Sequence, residues 1–212
     1  METAAQTGDI NALYSSIQSD PKILDSWDGT SFADTPLHIS TAAGHTQFAL
    51  EIMNLKPSLG RKLNTAGLSP LHVALYYQQW ETALRLVKLD SDLVQVKGRE
   101  GLTPLHSLAK MNDDQAERLL AEFLCACPAS IRNLTNREET ALHVAVKSRN
   151  AEAFNVLFQW AWRTYNREVL IWGDEDDNTV LHVAAGNKQP QARCVSIWWS
   201  YPHFFVEKNS GV

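Results

Sequence analysis

The 212-residue sequence contains no apolar run approaching the roughly 18–20 residues that a membrane-spanning helix requires. Its first ten residues, Met1–Ile10, carry Glu2 and no apolar core, so they do not read as a secretory signal. Glu2 also stands where myristoylation would require glycine. Cysteine is scarce. Only Cys125, Cys127 and Cys194 occur, an odd number with two nearly adjacent, which is a poor disulfide framework and fits a reducing compartment. Cys125 and Cys127 are too close for an ordinary zinc knuckle, and no second cysteine pair completes four ligands. Positive charge is not in excess either. With 19 basic and 24 acidic residues the net charge is -5, which argues against a nucleic-acid-binding stripe and against a polybasic membrane anchor. Glycine-rich phosphate loops, His-Glu-x-x-His and the nucleophile elbow are all missing, and Gly98–Gly101 reads as a turn. The acidic stretch from Asp174 to Asn178 lacks the ligand spacing of a calcium loop. These absences predict a non-enzymatic chain with no catalytic, cofactor-binding or metal-binding residues.

What is present is a repeat. Thr103-Pro104-Leu105-His106 has near-copies ending in His38, His72, His143 and His182, so the five histidines recur at steps of 34, 34, 37 and 39 residues. A period of this size signals stacked supersecondary units rather than one closed core. In each unit a Thr or Ser precedes Pro or a small residue, as an N-cap precedes the first helical position. Short apolar helices follow, such as the one carrying Leu37, Ile39 and Ala42 or Ala43 and then one over about 46–54 with Phe48, Ile52 and Met53, and each is too short to be stable alone. The predicted organisation is a repeat domain over residues 1–200. It comprises a partial N-terminal repeat at 1–30 and repeats from about 31, 65, 99, 136 and 175. Gly8 of the partial repeat aligns with Gly44 of the next. After Gln191 the pattern fails. Val195, Ile197, Trp198 and Trp199 are expected to close the stack, and residues 201–212 form an atypical tail.

Repetition also decides how the histidines are read. Equivalent positions in stacked units lie roughly 10 Å apart, the interaxial distance of packed helices, so His38, His72, His106, His143 and His182 cannot share a metal and are expected to be structural. Binding then falls to the variable positions. Tyr76, Tyr77 and Trp80 cluster near the end of one first helix, and aromatic side chains carry much interface energy. Arg99, Glu100, Lys110 and Arg137 lie on or beside the predicted turns, and Asp174, Asp176 and Asp177 form an acidic turn further on. The turn edge is therefore expected to pass from basic-containing to acidic and to orient a partner.

The Thr-Pro-Leu-His signature with its paired helices resembles the ankyrin repeat over residues 1 to about 200. The resemblance implies an all-α solenoid of stacked helix pairs with β-hairpin-like fingers, in which fingers and first helices line a concave protein-binding surface. More narrowly, Ala5–Tyr14, Ala49–Ser58, Val96–His106 and Leu119–Ser130 resemble plant ankyrin proteins of the accelerated-cell-death type. Those proteins carry a C-terminal multi-helix membrane domain and act at the plasma membrane in defence, cell-death or stress signalling. The resemblance implies a protein-binding role in such signalling for this chain, with another protein as partner and no nucleic acid. Lacking the membrane helices, the chain is expected to be a truncated form, cytoplasmic or held at the cytoplasmic face of the plasma membrane by a partner, where it competes with or is recruited by the full-length form.

Overall fold

A computed structural model describes residues 1–30 and 32–186. Eleven helices alternate along the described chain in two rows. The first row holds α1 (Glu2–Thr7), α3 (Pro36–Ala42), α5 (Pro70–Tyr76), α7 (Pro104–Lys110), α9 (Ala141–Lys147) and α11 (Val180–Gly186). The second row holds α2 (Ile10–Ser19), α4 (Thr46–Leu55), α6 (Trp80–Leu89), α8 (Asp114–Ala126) and α10 (Ala151–Arg163). Each first helix packs on the next first helix, and α4, α6, α8 and α10 pack in succession. Short 3-10 turns at Pro57–Arg61, Ser91–Gln95, Pro128–Arg132 and Arg167–Leu170 return the chain to the next unit. The expected closure by Val195, Ile197, Trp198 and Trp199 and the tail 201–212 lie outside the described residues.

A seven-residue helix cannot hold itself, so the apolar residues of each unit are spent between units. Leu37, Leu71, Leu105 and Leu142, one per signature, are fully buried, as are Ile52, Leu86, Leu120 and Leu157 from the second helices. The core is thus continuous along the stack rather than centred in one place.

Four of the five turns that join the two helices of a unit pass through a left-handed residue; the α7–α8 turn at Met111–Asp113 does not. Gly8 and Gly44 supply it at φ 69° and 75°, and in later units Gln78 and Arg149 adopt φ 56° and 58° at the same place. The sequence of the second unit has no glycine there, so Gln78 carries the strain instead.

The β-hairpin-like fingers are not found. Among the described residues, the sole strand-type pairing is an isolated antiparallel bridge between Gly173 and Thr179. The reason is length. Each connection closes within five residues across one cross-bond, from Asn64 N–H to Leu68 O at 2.9 Å, Gly98 to Leu102 at 2.8 Å, Thr135 to Glu139 at 3.0 Å and Asp174 to Asn178 at 3.0 Å. Adjacent tips are joined by one bond per step, such as Arg99 N–H to Gly67 O at 2.8 Å and Asn136 N–H to Glu100 O at 3.0 Å. That is a row of linked turns, not a ladder.

Gly101 has the least room of the tip glycines. Its φ is 73°, and a Cβ there would lie 2.7 Å from the Asn136 backbone nitrogen and 2.4 Å from its Oδ1. Gly101→Ala should therefore lower stability by about 1–3 kcal/mol through left-handed strain and displacement of the next tip. A urea midpoint unchanged from wild type would refute this.

Candidate functional site

The histidines form a repeated inter-unit joint. In His38 the Nε2–H donates to Leu68 O at 3.0 Å, and the equivalent bonds run from His72 to Leu102 O at 3.1 Å, His106 to Glu139 O at 3.1 Å and His143 to Asn178 O at 3.0 Å. A carbonyl can only accept, so the proton must be on Nε2. Nδ1 is then the acceptor. It receives the N-cap hydroxyl, from Ser69 at 2.7 Å and Thr103 at 2.7 Å for example, and also the N-cap backbone N–H. The carbonyl that receives each histidine is the one that closes the next tip, so one oxygen anchors both the tip and the preceding helix. Burial disfavours the imidazolium and lowers the pKa of all four, to about 4 for His72 and His106. His182 keeps the contact with Thr179 but is exposed.

The candidate binding residues are not equivalent. Tyr76 and Tyr77 are 68% and 55% exposed and meet edge to face, with ring centroids 5.2 Å apart. Trp80 separates from them. It opens α6 and is partly buried against the core, so it serves packing. Arg99, Glu100, Lys110 and Arg137 are exposed. Arg99 lies 3.8 Å from Glu100 and Arg137 3.8 Å from Glu175, so the expected basic stretch of the tip edge already has acidic neighbours.

Asp174 is the larger correction. It is buried rather than displayed at a tip. Its Oδ1 accepts from Asp176 N–H at 3.2 Å and Asn178 N–H at 3.1 Å, and its Oδ2 accepts from Lys147 at 2.9 Å. Burial works against its charge, but the Lys147 ammonium and the two backbone donors outweigh it and hold the carboxyl down at about 2. Asn64 and Thr135 play the same part in earlier tips, each accepting two tip N–H groups. Aligning the units on His72, His143 and His182 rather than counting acidic residues would have exposed this role. Asp176 and Asp177 remain exposed. Lys147 also binds Glu139 at 2.6 Å, a pairing across eight residues that no helical spacing in the sequence signals. Lys147→Met should destabilise the chain by about 1–3 kcal/mol, less than a fully buried pair because the ammonium is part-exposed. It should also raise the Asp174 pKa; an Asp174 carboxyl NMR titration that does not move would contradict the assignment.

Elsewhere, Arg167 lies 4.1 Å from the Trp162 ring centroid and Arg132 5.7 Å from that of Trp172, so the aromatic stretch of the fourth unit packs with cations over its rings. A shallow groove between tips is lined by Phe32, Leu63, Ala66, Gly67 and Arg99. Among the described residues, no three metal-ligating side chains converge. No helix among them is long and apolar enough to cross a membrane.

No family model matches the chain. One segment of 64 residues is 47% identical to the ankyrin repeat-containing protein BDA1 of Arabidopsis thaliana; it makes up 30% of this chain and 15% of that relative. The fold is similar to a chain in the solved complex of the predatory endopeptidase Bd0816 from Bdellovibrio bacteriovorus with the immunity protein Bd3460. That similarity covers 92% of this chain and 96% of the other, with a TM-score of 0.66 and 22% identity, and speaks to fold alone. Stacked helix pairs of this kind define a repeat solenoid. The partial match to an ankyrin protein supports a generic ankyrin-repeat family for it.

Proposed function

We propose that the chain is a protein-binding module with no covalent chemistry of its own. One observation carries this reading: Tyr76 and Tyr77 stand out from the end of a first helix, braced by each other rather than by the core. Aromatic rings that a partner can bury are the strongest common contributors to interface energy. The reading extends to plant defence, cell-death or stress signalling on the motif resemblance described above, and the plant origin of the 64-residue match supports that setting. In this proposal the chain acts in the cytoplasm. The same resemblance favours a second form, in which the chain acts at the cytoplasmic face of the plasma membrane by competing with or being recruited by a membrane-anchored relative.

Affinity purification from native plant extract, with and without the membrane fraction, tests both forms. A partner held by wild type should be lost from the Tyr76→Ser, Tyr77→Ser double variant. Equal retention by both would place the interface elsewhere, and enrichment only with membranes present would favour the second form.

A further inference from the structure

We infer that Tyr76, Tyr77 and Lys110 make one recognition patch for an extended protein segment in which an apolar or aromatic side chain lies about three residues from a carboxylate. The inference rests on the protein-binding reading and names the chemistry of the partner.

It follows from register. Ala42, Tyr76, Lys110 and Lys147 are the last residues of four successive seven-residue first helices, so they form one row across the stack. Their contents differ in a directed way. At the first helix, Ala42 and the exposed Ala43 are small and leave a shelf beside the rings of the second. Tyr76 and Tyr77 form the wall. At the third, Lys110 is exposed and has no ion pair among the described residues. At the fourth, Lys147 is compensated by Glu139 and Asp174. Asp113, three positions after Lys110, makes no ion pair with it among the described residues; its Oδ1 turns instead to α8, accepting from Gln115 and Ala116 N–H. The row therefore reads shelf, aromatic wall, unmatched cation, matched cation. An apolar side chain fits between shelf and wall, and a carboxylate fits Lys110.

The spacing sets the motif. Neighbouring packed helices lie roughly 8–10 Å apart. An extended chain advances about 3.3 Å per residue, so about three residues span the step from ring to ammonium. Lys110, the one cation of this row without an ion pair among the described residues, also fixes which way the segment lies across the stack.

The test pans a random 12-residue phage-displayed peptide library against the full chain, then measures anisotropy of enriched peptides with variants. Enriched peptides should pair an apolar or aromatic residue with Asp or Glu three positions away. Tyr76→Ser with Tyr77→Ser, and separately Lys110→Glu, should each weaken binding about tenfold or more. Lys88→Glu on α6 should not, and a peptide with Lys in place of its acid should recover binding to the Lys110→Glu variant. Enriched peptides that lack the acid, or that bind Lys110→Glu as tightly as wild type, overturn this patch while leaving the protein-binding reading intact. No enrichment over a bait-free control overturns both.

Discussion

Acidification from pH 7 to pH 4 should remove several kcal/mol of the stability of this protein, before its carboxylates are all protonated. The cause is the histidine joint. In the folded chain His72 and His106 stay neutral down to about pH 4, and His38 and His143 are lowered too. An unfolded histidine binds its proton near pH 6.5. Between these values the unfolded state holds more protons than the folded one, so stability is complete above about pH 6.5 and falls as the pH drops towards 4. His72 and His106 together contribute a slope of about 2 kcal/mol per pH unit near pH 5, and about 3 kcal/mol each over the whole window. That is comparable with the total stability of a typical domain, about 5–15 kcal/mol. Protonation is resisted for a structural reason. Nδ1 already faces two donors, the N-cap hydroxyl and the N-cap N–H, so a proton there would meet a donor that cannot turn around. Urea midpoints at pH 7, 6 and 5 under constant ionic strength are the measurement. A flat profile would sink the account. His106→Ala should be less stable at pH 7 but show a shallower slope below pH 6, separating loss of the joint from loss of its titration.

Phe123→Ala should cost about 3–5 kcal/mol, the range for deleting a buried phenyl ring. Phe123 is fully buried on α8, which packs against α6 on one side and α10 on the other. A cavity there weakens two interfaces at once, and nearest-neighbour coupling in a stacked repeat passes the loss in both directions. The first described unit should respond differently. Leu13 is equally buried on α2, but α2 lies outside the α4–α6–α8–α10 succession that flanks Phe123 on both sides. Leu13→Ala should loosen that unit alone, with faster hydrogen exchange confined to about residues 1–30. The contrast is checked by urea unfolding together with exchange. A loss below about 1 kcal/mol for Phe123→Ala would mean that the site collapses around the gap.

The binding surface was less legible than the fold. Tyr76 and Tyr77 could be singled out by residue type, yet Trp80, four positions on, points its surface to the core instead. Asp174 looked like part of an acidic tip because composition counts charges without asking where they face. It lies in the tip-closing position that Asn64 and Thr135 occupy in other units, and Lys147, 27 residues earlier, completes it. Lys110 and Lys147 have the same chemistry and the same register, and only the folded chain tells the unmatched cation from the matched one.

By itself the sequence determined the repeat, the helix pairs and their caps, because those depend on residues three or four apart: Thr or Ser, then Pro, then Leu and His. It also made the histidines poor metal ligands, since a period near 34 residues forbids convergence. Tertiary structure decided what each unit does for the next. The bond from each histidine crosses at least 30 residues to a carbonyl whose position depends on how the following tip closes. The tips close in five residues, too few for the hairpins that the resemblance implied. Which charges remain unspent on the surface was settled only when neighbouring units brought their side chains together.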